Sequence, residues 1–314
     1  MKEKSLLFTY GIGIIFFVMV TWGLNVVMLK VLIEYFPPVT MTAVRILLAG
    51  IVAISMILVS MKMRKLTKKE WFYTICGGLL GIAAHHYFLT MGLTLTNASN
   101  AVLILALVPV TTSIFAVIFL GDVLTKWRLL GMGLAFSGVV LTQGGGQGSV
   151  SLGDFYIFIS MAVQALSFIF IRKATITVDP RQMTSMMLLI GAIGVLIVSF
   201  ILEPGSITQM IGAPWSIYVI FFVSAVLSTA VGHFLFNAAI KRIGAGQTAV
   251  FNNFVPFIGL VGSAIFLNEQ IYWYQSFGFL IIVLGVLFGT GYMEKTFFKK
   301  KHDDSSLVSK SRAG

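Results

Sequence analysis

Charge is scarce in this sequence. Only 11% of the 314 residues are charged, whereas 58% are hydrophobic and the mean hydropathy is +0.96. A soluble domain carries roughly 25% charged residues, so this composition cannot cover a soluble surface of such a size. The shortage argues against an ordinary soluble enzyme or binding domain and predicts an integral membrane protein.

Cysteine is nearly absent, because Cys76 is the only one and lies in an apolar run. One cysteine excludes an intramolecular disulfide and a cysteine-based metal cluster. The motifs Gly77-x-x-x-Gly81 and Gly285-x-x-x-Gly289 lack the strand and lysine of a phosphate-binding loop and indicate close helix packing instead. No nucleophile–base–acid arrangement is evident. We therefore expect no metal, no cofactor, no enzymatic activity and no direct use of ATP by this chain alone.

Long apolar runs, by contrast, recur along the chain. A membrane-spanning helix needs about 20 mostly apolar residues, and turn-forming residues separate ten segments of that kind. The predicted helices cover residues 8–30, 38–61, 71–93, 98–120, 126–143, 153–172, 182–202, 214–239, 247–267 and 271–292. The predicted fold class is an all-α membrane protein with ten transmembrane helices.

The placement of the basic residues orients these helices. A net charge of +11 could indicate nucleic-acid binding, but Lys and Arg also collect in the cytoplasmic loops of membrane proteins. With the N-terminus inside, 20 of the 22 Lys and Arg fall in inside segments, and only Lys30 and Arg45 lie within helices. The opposite side carries the acids Glu34, Asp154, Glu203 and Glu269. We predict that both termini are cytoplasmic and that the partner is a lipid bilayer, not nucleic acid.

The second half of the chain repeats the first. A shift of about 147 residues aligns Pro109 with Pro256, His86 with His233, Asp122 with Glu269, Gly131 with Gly278, and Gly138 with Gly285. Each repeat holds five helices, an odd number, so the second copy enters the membrane upside down. Inverted repeats are typical of secondary transporters, whose substrate site lies near the midplane at the repeat interface.

This organisation predicts four parts. The first five-helix repeat covers residues 1–143, an external linker covers 144–152, and the second repeat covers 153–292. Residues 293–314 are predicted to form a disordered, basic cytoplasmic tail. The oligomeric state does not follow from the sequence.

An ordered set of motifs resembles a known family. The first copy comprises Trp22-Gly23-Leu24-Asn25, Lys30, Pro38, Arg45, Gly81, Ala98 to Ala101, Pro109, Asp122, Gly131 and Gly138. It is similar to the EamA-type repeat of the ten-helix drug/metabolite transporter superfamily. Residues 154–290 resemble a second copy, although Leu188 stands where Arg45 would recur. The resemblance implies a central cavity between two inverted repeats, and export or exchange of amino acids or other small metabolites across a bacterial plasma membrane.

Ionisable residues inside apolar helices are costly and usually functional. Arg45 can pair with helix-end carbonyls or Glu34, snorkel towards the interface, or bind a substrate carboxylate, whereas Lys30 is expected to snorkel. His85 and His86 are adjacent, so at most one should line a cavity, and the repeat selects His86. His86 and His233 are candidate proton carriers, or else they are hydrogen-bonded between packed helices.

Amides form the second group of candidates. Asn252 and Asn253 precede Pro256, and a proline frees a backbone carbonyl one turn earlier. An amide at such a break can satisfy that carbonyl or contact a zwitterionic substrate. The positions Pro109 and Pro256 are therefore predicted cavity wall. The full set of predicted cavity residues is Trp22, Asn25, Arg45, His86, Gln164, His233, Asn237, Asn252 and Asn253.

The sequence predicts a secondary transporter that exports or exchanges amino acids or related small molecules by alternating access. The superfamily's four-helix multidrug relatives rely on a membrane-embedded glutamate, and its lack here weakens drug/proton antiport. The alternative is a polytopic membrane protein that does not transport, either a lipid-active enzyme or a scaffold. An enzyme would need clustered polar groups near one interface, and the sequence offers none.

Overall fold

The structure is a computed structural model that describes residues 2–60, 63–142, 151–236 and 254–289, with only the backbone described for 2–12 and 60. Helices joined by short connections make up these residues, and none of the described residues forms a strand. The all-α class is therefore confirmed for the described chain. The linker up to residue 150, the tail from residue 293 and the predicted site residues Asn237, Asn252 and Asn253 lie outside the described residues.

The helices are numbered here in chain order. They are α1 (Lys2–Tyr35), α2 (Pro38–Ser60), α3 (Lys68–Gly78, Leu79–Ala84 and His85–Leu95, continuous), α4 (Ala98–Leu120), α5 (Lys126–Thr142), α6 (Leu152–Ala174), α7 (Pro180–Leu202), α8 (Trp215–Phe236), α9 (Phe254–Leu267) and α10 (Trp273–Gly289). Among the described residues, six helices are long and apolar enough to cross a membrane: α1, α2, α4, α6, α7 and α8. Each helix falls on a predicted segment, while the number of membrane passages, the inversion and the side of the termini stay predictions.

Local sequence explains where several helices begin. Thr67 and Glu70 form a capping box at α3, in which each side chain accepts a hydrogen bond from the other's backbone N–H. Ser151 and Asp154 form a second capping box of the same kind at the start of α6. Such reciprocal bonds satisfy N–H groups that the helix itself leaves unpaired. These starts are thus fixed by polar residues at the ends of apolar runs.

The connections gather at two ends of the helix bundle. Contacts such as those of Glu203 with the start of α2, and of Glu269 with the start of α4, define the first end. We call it the acidic end, and its acids are Glu34, Asp154, Glu203 and Glu269. The other, the basic end, carries Arg64, Lys65, Lys68, Lys69, Lys126, Arg128, Arg172, Lys173 and Arg181. These Lys and Arg residues thus lie at the opposite end of the bundle from the four acids, as predicted from the sequence.

Glycines let α5 and α10 pack closely. A Cβ atom on Gly131 would lie 2.6 Å from the carbonyl oxygen of Gly285, and one on Gly138 would lie 2.8 Å from that of Gly278. The prediction of close packing at Gly285 is confirmed. Because Gly131 corresponds to Gly278 and Gly138 to Gly285, each contact is the repeat equivalent of the other. A two-fold relation between the repeats produces such a pair.

Candidate functional site

A cavity of about 140 Å³ lies in the middle of the bundle. Its walls come from α1, α3 and α4 of the first half and from α6, α8 and α9 of the second. Seven of the predicted site and helix-break residues line it, namely Trp22, Asn25, His86, Pro109, Gln164, His233 and Pro256. A cavity needs roughly 10–15 Å³ for one water, so this one has room for a small molecule.

Helix distortions shape the walls of this cavity. A π-helical segment, Leu79–Ala84, precedes His85 in α3, and a second, Val223–Val231, precedes His233 in α8. The two segments are repeat equivalents, and π segments are frequent at functional sites. α4 is interrupted at Ala106 and Leu107, just before Pro109. This interruption lies one turn before Pro109, where a break is predicted, whereas the residues before α9 needed to judge Pro256 lie outside the described chain.

Both histidines of the adjacent pair border the cavity. The prediction that at most one of His85 and His86 lines it is therefore wrong. Neighbouring side chains on a helix point about 100° apart, and this cavity borders α3 on two sides. Nδ1 of His85 lies 3.1 Å from the carbonyl oxygen of Ser160 on α6. His86 instead faces Arg45 on α2.

Arg45 lies behind the cavity wall and is completely buried. Its Nη1 donates to Thr229 Oγ1 at 2.8 Å and lies 3.5 Å from Ser224 Oγ, and its Nη2 lies 3.2 Å from His86 Nδ1. Ser224 Oγ in turn donates to Asn25 Oδ1 at 2.6 Å. This network joins α1, α2, α3 and α8. Snorkelling, one of the predicted alternatives for Arg45, is therefore wrong.

Lys30 bonds to helix-end carbonyls, although it was expected to snorkel towards the interface. Its Nζ donates to the carbonyl oxygens of Leu93 and Thr96 at 2.6 and 2.7 Å. These carbonyls lie at the C-terminus of α3, where the helix leaves them unpaired and where a cation is favoured. Lys30 thus caps α3 rather than reaching freely to the interface.

The hydrogen bonds assign opposite proton positions to the two repeat-related histidines. An arginine can only donate, so Nδ1 of His86 accepts, and a neutral His86 carries its proton on Nε2. Nδ1 of His233 lies 2.6 Å from the carbonyl oxygen of Thr229, which can only accept, so this Nδ1 carries a proton. A second proton fits on Nε2 of His233. A second proton on His86 would have to go to Nδ1 and would break the hydrogen bond from Arg45. The two histidines thus differ in their bonded protons, and their role as proton carriers stays a prediction.

Trp22 forms an aromatic side of the cavity. Its ring centroid lies 5.1 Å from that of His233 and 4.8 Å from that of Phe236. Its Nε1 donates to the carbonyl oxygen of Ser228 at 2.9 Å, within the π-helical segment of α8. Trp22 also lines a smaller cavity of about 90 Å³, which reaches Met183 at the start of α7 and so lies nearer the basic end.

Sequence reasoning missed the hydroxyl residues of α8. Ser228 and Thr229 line the cavity, and Ser224 connects Asn25 to Arg45. Their spacing within an otherwise apolar helix was the available signal, but isolated hydroxyls in such helices usually bond to their own backbone. Gln164, which was predicted, lines the cavity with an Oε1 atom that is buried and has no hydrogen-bond partner among the described residues.

Comparison with known proteins identifies the family. The sequence model of the EamA-like transporter family matches residues 9–143 and again residues 151–290. The chain belongs to this family. Two copies of one repeat, together with the long apolar helices, make it a multi-pass membrane transporter of the plasma membrane.

Individual relatives agree with this assignment. The chain is 32% identical over 272 residues to "Uncharacterized transporter YyaM" of Bacillus subtilis (strain 168), covering 83% of this chain and 87% of that protein. It is 28% identical over 273 residues to "Uncharacterized transporter YvbV" of the same organism, covering 86% and 88%. A solved structure, "Crystal structure of protein", superposes with a TM-score of 0.65 at 16% identity, covering 92% of this chain and 99% of that one. The last comparison supports the fold.

Proposed function

We propose that this protein is a secondary transporter that exports or exchanges amino acids or related small metabolites by alternating access. The observation that carries the proposal is the central cavity, to which both repeats contribute equivalent residues. His86 and His233 form one equivalent pair, and Pro109 and Pro256 form another. A site built from equivalent parts of two inverted repeats can be reached from either side by exchanging their conformations.

The proposal includes ten membrane passages with both termini in the cytoplasm. The basic end then faces the cytoplasm, since Lys and Arg favour that side. The first repeat covers residues 1–143 and the second 153–292. Cysteine labelling at position 66, in a Cys76→Ser background, tests the orientation. An impermeant reagent that labels position 66 in intact cells contradicts it.

Alternating access is supported by the asymmetry of the open space. A second, smaller cavity shares Trp22, Gln164 and His233 with the first and reaches Met183 at the basic end. At the acidic end, Glu203 joins the end of α7 to the start of α2, and Glu269 joins the end of α9 to the start of α4. Under the proposal this conformation is open towards the cytoplasm and closed on the other side. No catalytic step is proposed for the site.

Counterflow in proteoliposomes tests the function. Vesicles loaded with pooled amino acids should take up labelled amino acids through the parent protein. Ala106→Phe should abolish uptake because Ala106 lines the cavity and is nearly buried. Val140→Phe is the matched control, since Val140 is 63% exposed on the outer surface of α5. A correctly inserted Ala106→Phe protein with parental flux contradicts the assignment of this cavity.

A further inference from the structure

We propose that the cavity contains a carboxylate subsite, in which Asn25 and His86 donate hydrogen bonds and Arg45 supplies the positive charge behind them. The subsite takes molecules that carry a carboxylate and rejects those whose only charge is positive. The inference rests on the proposed transport function and specifies its substrate class.

The first step is that the charge of Arg45 has no counter-charge among the described residues. Its partners Thr229, Ser224 and His86 are all neutral as bonded here. The ion pairs found among the described residues use Glu70, Asp122 and Asp179, all at the basic end. Residues 237–253, which lie beyond the described part next to α8 and α9, contain no Asp or Glu.

The second step is that this charge lies deep in the protein. Arg45 is the eighth residue of α2, about 10 Å along the helix at 1.5 Å per residue. It is completely buried, and its Nε has no hydrogen-bond partner among the described residues. An unpaired charge in such a place is unfavourable and is usually matched by an anion. A substrate carboxylate can provide the match.

The third step is that Arg45 acts through residues of the cavity wall. Its donation to Nδ1 leaves the proton of His86 on Nε2, so this ring has a donor to offer. The Oδ1 atom of Asn25 is occupied by Ser224, which leaves the Asn25 amide N–H groups to donate. Both residues line the cavity. Two donors backed by a positive charge favour an anionic oxygen and repel a cation.

Competition in counterflow tests the subsite with matched probes. Unlabelled leucine and phenylalanine are tested as competitors of the uptake of the labelled amino acids. Leucinamide and phenylalaninamide, which keep the ammonium group but lack the carboxylate, are tested in the same way. We expect the amides to compete at least about tenfold less well, since a hydrogen bond to a charged group exceeds this factor. Amides that compete as well as the acids, with uptake intact, overturn the inference but not the transport function. A protein without any uptake of the pool overturns both.

Variants separate a charge role from a purely structural one. Arg45→Gln should reduce the preference for acids over amides to within about twofold, and Arg45→Lys should retain part of it. Arg181→Gln, which removes an arginine at the basic end, should keep the full preference. If Arg45 only holds helices together, Arg45→Gln lowers competition by acids and amides equally, which overturns the inference. If Arg45→Gln does not insert, the acid–amide comparison in the parent protein decides.

An inorganic anion is the competing occupant. Replacing chloride by isethionate, an anion that carries a sulfonate and no carboxylate, on both sides of the membrane should leave the acid–amide preference unchanged. A preference that disappears without chloride shows that chloride, not the substrate carboxylate, neutralises Arg45, and it overturns the proposal.

Discussion

The two ends of the bundle use carboxylates in different ways. At the acidic end, Glu203 and Glu269 accept hydrogen bonds from backbone N–H groups at the starts of α2 and α4. At the basic end, Asp122 contacts Arg172, and Glu70 contacts Arg64 in addition to the Thr67 N–H group. A helix N-terminus holds a carboxylate in a fixed position, whereas exposed arginines are mobile and screened. Glu203 and Glu269 are therefore held more firmly than Asp122 at the basic end.

The difference is sharpest between two residues that occupy the same place in the repeats. Glu269 accepts from the N–H groups of Ala98 and Ser99 at 2.9 and 2.8 Å, and so joins α9 to α4 across the two halves. Its equivalent, Asp122, lies 3.6 Å from Arg172, and their side chains are 33% and 62% exposed. Identical repeats in a symmetric state would make identical contacts. Unequal contacts at equivalent positions are what a transporter shows when one end is open.

Glu203→Gln should have the largest effect on stability. Glu203 accepts three hydrogen bonds, from the N–H groups of Val39 and Thr40 and from the Thr40 hydroxyl. Loss of the charge should cost about 3 kcal/mol. The apparent Tm in detergent should fall by about 6 °C. Glu34→Gln, an exposed acid at the same end, is the control, and a drop no larger than that of the control contradicts the role of Glu203.

Glu269→Gln should destabilise slightly less, because two backbone hydrogen bonds are affected rather than three. We expect about 2 kcal/mol and about 4 °C in apparent Tm. The acidic end should also open more readily, so a cysteine at position 100 in a Cys76→Ser background should label faster from that side. Unchanged labelling in a destabilised protein would show that Glu269 supports the fold without closing this end.

Most of the helical framework follows from the sequence because lipid leaves the backbone few choices. A chain in hydrocarbon must satisfy its own N–H and C=O groups, so apolar runs become helices. The run 98–120 forms α4 over just those residues, with an interruption at Ala106 and Leu107. α1 continues to Tyr35, beyond the predicted end at residue 30, because nothing stops a helix before Pro37-Pro38.

The site was less accessible to sequence reasoning. Polar residues in apolar helices identified Asn25, His86, Gln164 and His233, and Trp22 was predicted as an aromatic wall; all five line the cavity. The partners of Arg45 and the second histidine were not predictable, because they depend on how α2, α3 and α8 pack. The π-helical segments have no residue signature of their own. Asn237, Asn252 and Asn253 stay predictions.

Glu70 should make the stability at the basic end depend on pH, with a smaller effect than the two substitutions at the acidic end. Glu70 lies before the predicted span 71–93, and its hydrogen bonds with Arg64, Thr177 and Thr67 hold its pKa well below the usual range. A carboxylate with a lowered pKa stabilises the fold above its unfolded pKa of about 4.3, and this contribution is lost as the pH falls towards the folded pKa. The Tm difference between the parent and Glu70→Gln should be constant between about pH 7 and 6 and shrink below about pH 4. A difference that grows in acid contradicts this prediction.

Asp122→Asn should have the smallest effect on stability and should still reduce transport. The exposed pair with Arg172 contributes at most about 1 kcal/mol, so the apparent Tm should change by no more than about 2 °C. Arg172→Gln removes the same pair and should shift the Tm equally. Under alternating access, however, the basic end must close in turn, and Asp122 is the repeat equivalent of Glu269. Counterflow should therefore fall several-fold in Asp122→Asn but stay near the parental rate in Arg172→Gln. Equal flux in the two variants would show that Asp122 does no more than pair with Arg172. In that case Asp122 does not close the basic end in the way that Glu269 closes the acidic end.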